Sequence, residues 1–259
     1  MTLGNKFLYN NAWIFYLIGV FSLILVLIFG VDINNARCWF KIPFIGTIQP
    51  SEFMKIFLII TLARMISDFN YTYKNPEVSD EFKFILKVLI VLIIPSILTF
   101  IEPDTGAVIM YVIITFVMLF IGGLRKRWFI FTISFITIFL GIFLGIYYLK
   151  QDLFIDLFGT SFFYRMDRIT SFINPWSDPL GTGFQIIQSL YAIGPGGLFG
   201  LGLFNSRQKH FYLPEPQTDF IFSIISEEFG FLGVLIVCSF FFMIFYTSMK
   251  VFFKTKDLF

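Results

Sequence analysis

Histidine is almost absent from this chain. His210 is the only one in 259 residues, which excludes a metal centre built from several imidazoles. Cysteine is nearly as scarce: Cys38 falls in a loop and Cys238 in the middle of an apolar run, so the two are not expected to pair. Charged residues make up 14% of the chain and the net charge is +2, which gives no electrostatic footing for nucleic acid. The first apolar run has neither a basic leader nor a small-residue cleavage site, so no cleavable signal peptide is expected. No internal repeat and no low-complexity linker interrupts the sequence, and one membrane domain over residues 1–259 is expected.

Apolar residues are abundant instead. They form 57% of the chain, and the mean hydropathy is +0.82. A soluble domain averages about 45–50% apolar, and a chain of this length cannot hide such an excess in one core. The fold class expected is therefore all-α: a polytopic helical membrane protein, since every backbone amide in hydrocarbon needs an internal partner. A spanning helix needs about 20 mostly apolar residues. Six stretches qualify: Trp13 to Gly30, Phe53 to Ile66, Phe84 to Phe100, Ala107 to Ile121, Phe129 to Tyr148 and Phe220 to Phe253.

Lys and Arg in short loops set the orientation. Arg125, Lys126 and Arg127, then Lys74, Lys83 and Lys87, then Lys250, Lys254 and Lys256 all fall on one side of a six-span chain. That side is expected to be cytoplasmic, with both termini inside. The long loop 149–218 is then outside and too long to be featureless. Phe154, Leu157 and Phe158, with Phe162 and Phe163, suggest a short amphipathic interfacial helix. Phe184 to Ile193 suggests a re-entrant or interfacial helix, bracketed by Gly181, Gly183 and a Gly194-Pro195-Gly196-Gly197 turn.

Charge near a span is costly, at least about 2.5–3.5 kcal/mol at the bilayer centre, so each charged group there needs a reason. Glu52 and Lys55 stand three apart on one face of the second span. Arg64 lies near its other end, where snorkelling to the interface would suffice. Glu102 and Asp104 flank Pro103. Glu227 and Glu228 open the last span, and Asp219 precedes it as a candidate N-cap. Each of these residues has a plain reading as an ion pair or helix cap. Together, at one outward depth beside a Gly-rich loop, they suit an anionic, lipid-borne ligand.

At these positions the sequence resembles the SEDS family (shape, elongation, division and sporulation). The resemblance rests on Ala36-Arg37-Cys38-Trp39, Gln49-Pro50-Ser51-Glu52-Phe53-Met54-Lys55 and Pro103-Asp104-Thr105-Gly106. It continues through Arg168, Asn174-Pro175-Trp176 and Asp178-Pro179-Leu180-Gly181-x-Gly183. Gln185-Ile186-Ile187-Gln188-Ser189, Leu213-Pro214-Glu215, Thr218-Asp219-Phe220 and Glu227-Glu228-x-Gly230 complete it. The motifs occur in order over nearly the whole chain. Family members have about ten spans, so this chain is expected to begin at the third and stop after the eighth. Thr47 stands where several members carry Arg; either another base such as Arg37 substitutes for it or phosphate binding is weakened.

The resemblance implies a peptidoglycan glycosyltransferase of the bacterial cytoplasmic membrane, serving elongation, division or sporulation. Its substrate would be lipid II, its released product undecaprenyl diphosphate, and its partner a class B penicillin-binding protein. Asp219, Glu52 and Lys55 are the implied catalytic residues. Arg37, Gln49, Asp104, Arg168, Gln188 and Glu215 are the implied substrate contacts. A divalent cation, Mg or Mn, could assist through Asp219 or Asp104, although no firm ligand set is legible. Arg165, Arg207 and Lys209 read equally as phosphate contacts or solvated loop charges. Two rivals stand beside the enzyme: a lipid II flippase, because intramembrane charge and Gly-broken segments also mark transport paths, and an inactive remnant that only binds a partner.

Overall fold

A computed structural model describes residues 4–33, 36–42, 46–149, 151–158, 172–210, 212–214, 216–255 and 259. The described chain forms helices α1 (Asn5–Phe29), α2 (Pro50–Thr72), α3 (Val78–Ile101), α4 (Thr105–Ile121) and α5 (Lys126–Leu149). Shorter helices α6 (Gln151–Phe158) and α7 (Phe184–Gly196) follow, and α8 (Ile221–Lys254) is last. Each of the six expected spans coincides with a helix. Four of them (α1, α3, α5 and α8) are long and apolar enough to cross a bilayer by length and composition. The protein is thus a polytopic α-helical membrane protein.

One element departs from the all-helical expectation. The α1–α2 connection folds as a three-stranded antiparallel sheet, β1 (Val31–Ile33), β2 (Ala36–Ile42) and β3 (Gly46–Ile48), in the order β1-β2-β3. Val31 faces Trp39 and Phe40 faces Ile48. Strands are possible because Ala36–Ile42 alternates exposed Arg37 and Lys41 with buried Cys38, a period of two.

The chain divides into two compact units, residues 1–136 with 256–259, and residues 137–255. In the first, α2 is the hub. Met54, Leu58, Leu62, Ile66 and Phe69 recur every three or four residues and are buried, forming the stripe expected of a packed helix face. They meet Tyr16 and Leu23 of α1, Phe84 and Val88 of α3, and Ala107 and Tyr111 of α4. Tyr16 donates to the Val91 carbonyl (3.0 Å), tying α1 to α3. Arg64 does not snorkel: it donates to the carbonyls of Tyr9 (3.0 Å) and Asn10 (3.2 Å) and lies over the Tyr9 ring, so it clamps α2 to α1. At that same end Glu81, 2% exposed, pairs with Arg125 (3.2 Å) and Arg127 (3.6 Å) and accepts from Trp128 Nε1 (2.7 Å). This carboxylate joins two of the three basic loops at one end of the unit.

In the second unit, Phe154 of α6 is fully buried against Phe143 and Tyr147 of α5. Phe162 and Phe163 lie outside the described residues. Helix α7 runs through Gly194 and Pro195, beyond its expected end, and stops at Gly197, whose φ is +50. Outside its first turns α8 is almost bare of protein contacts, as a helix solvated by lipid would be.

Candidate active site

A first group of candidate residues is built at the Pro50 end of α2. Pro50 occupies the first helical turn, where a missing N–H is no loss. Glu52 follows within that turn, where negative charge suits the helix dipole. Glu52 and Lys55 form an ion pair at 2.7 Å, with their side chains 58% and 21% exposed. So open a pair contributes at most about 1 kcal/mol to stability. Its effect is to fix where the ammonium sits.

Asp104 is committed on both oxygens. One accepts the Ala107 N–H (3.0 Å) and caps α4, and the other accepts from Gln49 Nε2 (2.6 Å) and Ser51 Oγ (3.2 Å). Tyr111, fully buried, donates to the Ser51 carbonyl (3.0 Å). The entry to α2 is therefore locked to the start of α4 through Asp104, Gln49 and Ser51. Arg37 lies exposed on β2, its aliphatic stem beside Gly30, and Thr47 is exposed on β3.

Glu102 is the unusual member. It is completely buried, and neither oxygen has a hydrogen-bond partner among the described residues. Burial, and then the charge of Asp104, push its carboxyl up to about 8; a desolvated carboxyl keeps its proton. The folded state then binds a proton that the unfolded chain releases above its ordinary 4.5. Stability is full below that value and falls as pH rises toward the folded value. Glu102→Gln is expected to flatten this dependence and to raise the melting midpoint most at pH 8, because a tenfold change in proton affinity on folding is worth about 1.4 kcal/mol. Melting curves of both forms between pH 5 and 8 that ran parallel would refute it.

A second group of candidate residues lies in the other unit. Asp219 sits in the turn before α8. It is exposed, and its carboxylate makes no hydrogen bond among the described residues. The N-cap reading does not hold: the cap position falls on Phe220, with no side-chain cap. Helix α8 itself is not continuous. Gly230, at φ 65 and ψ −163, breaks it into a short first part and a longer second part.

The break is filled by the glycine-rich segment 197–202. In an unbroken helix the Phe231 and Leu232 amides would donate to the Glu227 and Glu228 carbonyls. Instead Leu201 N–H donates to Glu227 O (2.8 Å) and Gly202 N–H to Glu228 O (3.0 Å). The displaced Phe231 and Leu232 amides donate to Gly197 O (2.9 Å) and Leu198 O (3.1 Å). All four backbone groups are thus satisfied, as a lipid-bordering site requires. The approach is close: a Cβ on Gly200 would lie 2.2 Å from Glu228 O, and one on Gly230 would lie 2.4 Å from Gly200 N.

Glu227 and Glu228 are spent on the same join. Glu227, 1% exposed, accepts from Ser206 Oγ (2.5 Å) and from the amides of Arg207 (2.8 Å) and Gln208 (3.4 Å). Glu228 pairs with Lys209 at 2.5 Å, so Lys209 is neither a free phosphate contact nor a solvated charge. Gln188 is half-buried on α7, beside Ser189, whose hydroxyl meets that of Ser223 at 2.7 Å. Asp178 accepts from the Thr182 and Gly181 amides (2.8 and 3.1 Å). The Thr182 amide foremost holds its carboxyl below the usual carboxylate range, against burial and with help from the Thr182 hydroxyl and the Gly181 amide. Its motif is thus a turn lock. Arg165, Arg168 and Glu215 lie outside the described residues.

The structure therefore joins Gln49 to Asp104 and Glu52 to Lys55 in one unit, and places Asp219 and Gln188 in the other. No three His, Cys, Asp or Glu side chains gather as a cation site among the described residues. Both Asp104 oxygens are already engaged. Tyr111, which braces the first group, and Ser206, which braces the second, gave no signal in sequence beyond residue type.

Comparison with known proteins bears on the whole chain. The sequence profile of the FtsW, RodA and SpoVE cell cycle proteins matches residues 1–259. The chain is 40% identical to stage V sporulation protein E of Bacillus subtilis over 249 residues, covering 92% of this chain and 60% of that protein. It is 39% identical over 247 residues to a probable peptidoglycan glycosyltransferase FtsW of Buchnera aphidicola, covering 95% of this chain and 59% of the other. It thus spans about 60% of the length of these relatives. Among solved structures, a chain from a study of how a peptidoglycan synthase complex coordinates polymerization and crosslinking aligns with a TM-score of 0.70 and 26% identity. That alignment covers 99% of this chain and 66% of the other. The rod shape-determining protein RodA of Thermus thermophilus, 22% identical with a TM-score of 0.57, shares the fold, over 99% of this chain and 60% of that one.

Proposed function

This chain belongs to the FtsW/RodA/SpoVE family, and from that premise we propose that it polymerises lipid II into glycan strands at the outer face of a bacterial cytoplasmic membrane. The observation that carries the reading is Asp219: an exposed carboxylate with no hydrogen bond among the described residues, at the head of the helix that enters the membrane. Among the described residues, Glu52, Asp104, Asp178, Glu227 and Glu228 of the same motifs are already engaged.

In this reading Asp219 takes the proton of the acceptor sugar 4-hydroxyl. The freed oxygen attacks the donor's anomeric carbon, the bond to the diphosphate breaks, and undecaprenyl diphosphate leaves. Charge building on that leaving group needs a fixed cation. Lys55, aimed by Glu52, supplies it, with Arg37 of β2 as the second candidate base. Gln49 and Asp104 act through the loop they lock. Arg168, Gln188 and Glu215 complete the substrate contacts. A class B penicillin-binding protein is the proposed partner; the likeness to a chain of a peptidoglycan synthase complex supports this. Both termini are placed in the cytoplasm, a placement supported by the two basic loops that Glu81 joins at one end.

The deciding experiment is reconstitution of the chain in liposomes with labelled lipid II. Glycan ladders are expected. Label that crosses the bilayer without forming polymer would favour a transporter. Neither product would leave a chain that only binds. In the same assay Lys55→Gln is expected to lower turnover about 10²-fold, as removal of one charge-stabilising donor does. Little change in lipid II binding should accompany it. An unchanged rate would remove Lys55 from the leaving-group role.

A further inference from the structure

A groove of about 320 Å³ lies where the end of α2 meets the start of α3. Phe69 and Tyr73 line it from α2 and its cap, and Lys83, Phe84, Leu86 and Lys87 line it from α3. Phe69 and Phe84 stack with ring centroids 4.3 Å apart, and the Tyr73 ring lies 5.2 Å from that of Phe69. Tyr73 and Leu86 are 42% and 45% exposed, so the groove offers apolar surface to its surroundings.

Two cations stand on this apolar wall. Lys83 and Lys87 are four apart on one face of α3, both are exposed, and neither forms an ion pair among the described residues. Arg125 and Arg127, at the same end, have Glu81 between them; the two lysines have no such acid. Asp80 also lines the groove, but one of its oxygens already takes the Glu77 amide (3.1 Å) in the capping box of α3. Lys87 lies about 13 Å along α3 from Val78, at 1.5 Å per residue. Leu86, Leu89 and Ile90 beside it are exposed, as residues of a span facing lipid are. A cation at such a place is costly without a countercharge, and its stem can carry the ammonium only back toward the helix start, where Lys83 already stands. The countercharge must come from outside the chain. A bilayer lipid brings both parts that the groove lacks, a phosphate for the ammonium groups and an acyl chain for the rings; basic pockets between helices at a membrane face take anionic headgroups in this way. A zwitterionic headgroup would set a third cation beside the two, and a soluble anion would leave the apolar wall bare.

We propose that this groove binds one anionic phospholipid, its phosphate between Lys83 and Lys87 and an acyl chain against Tyr73, Phe84 and Leu86. The site is independent of the chemistry proposed for Asp219. The test uses the whole chain in phosphatidylcholine nanodiscs doped with phosphatidylglycerol, with retained lipid counted by native mass spectrometry. One phosphatidylglycerol should stay bound. Lys83→Gln with Lys87→Gln should weaken it about 30-fold, near fivefold for each ammonium. Lys74→Gln with Lys126→Gln removes the same charge from the same end, away from the groove, and should keep the lipid. Lys87→Arg should keep it too, because a guanidinium also binds phosphate. If the groove double variant melts below the parent in pure phosphatidylcholine, Lys87→Gln alone carries the test, with a loss of roughly fivefold. Equal losses in the two double variants would overturn the site and leave only diffuse attraction. Phosphatidylcholine held as tightly as phosphatidylglycerol would overturn it as well. So would displacement of the lipid by inorganic phosphate, or tighter binding of a polyprenyl diphosphate in the same groove.

Discussion

Replacing Gly230 with alanine is expected to cost about 4–5 kcal/mol, at the extreme of what single substitutions do. Two causes add. The backbone there, at φ 65 and ψ −163, lies in a region essentially confined to glycine, and a side chain held in such a place costs on the order of 1–3 kcal/mol. The new methyl would also sit 2.4 Å from Gly200 N and 2.6 Å from Leu198 C. Those are peptide atoms, and they cannot withdraw without breaking the bonds from Leu201, Gly202, Phe231 and Leu232 that bridge the break. Gly123 is the proper comparison. It too has positive φ, +84, yet nothing lies within 4 Å of its virtual Cβ, so Gly123→Ala should cost only the left-handed penalty, about 1–2 kcal/mol. Thermal melting of the two variants in detergent should separate them, with a fall of about 10 °C at Gly230 and a few degrees at Gly123. Equal shifts would mean that conformation alone matters and that the close approach does not.

Asp219→Asn is expected to lower polymerisation of lipid II by about 10²–10⁴-fold, the usual contribution of a positioned general base. The amide keeps the size of the side chain and loses the capacity to take a proton. Because the Asp219 carboxylate makes no hydrogen bond among the described residues, its loss should leave the melting midpoint unchanged, within about 0.5 kcal/mol. Lipid II binding should survive as well. Asp219→Glu, which retains a base on a longer arm, should recover part of the rate. Wild-type turnover by the Asn variant in the reconstituted assay would end the assignment of Asp219 as the base.

The long apolar runs made six helices legible from the sequence, even for α2, where Glu52, Lys55 and Arg64 dilute the hydrophobic signal. Recurrence every three or four residues from Met54 to Phe69 marks a buried stripe that no scatter of charges conceals. Other features were less visible because their causes are not local. The kink at Gly230 resembles any tolerated glycine in an apolar run until the distant segment 197–202 supplies its hydrogen bonds. Arg64 reads as a snorkelling base until the Tyr9 and Asn10 carbonyls appear beside it. Glu81 sits in the first turn of α3 like any helix-favouring acid, and only the later loop reveals it as the anchor of Arg125 and Arg127. The short sheet had a signal, alternation across Ala36–Ile42, but three residues per flanking strand is too little pattern to distinguish from a loop.

Within the candidate site, residue types were recognisable and their duties were not. Asp104 and Asp219 are both acids in motif positions. Hydrogen bonding separates them: Asp104 is fully occupied by Gln49, Ser51 and the Ala107 amide, while Asp219 stands open. Glu227 and Glu228 are drawn inward by Ser206, the Arg207 amide and Lys209, which a linear reading cannot distinguish from catalytic pairing.

Surface connections usually accept extra residues cheaply, since their peptide groups can turn to water. The stretch from Gly197 to Gly202 has the composition of such a connection and none of its freedom. One inserted or deleted residue would slide its amides past the Glu227 and Glu228 carbonyls they serve and take the join out of register. Its length is fixed as firmly as that of an interior strand, so chains descended from a common ancestor should differ there in side chains and not in count.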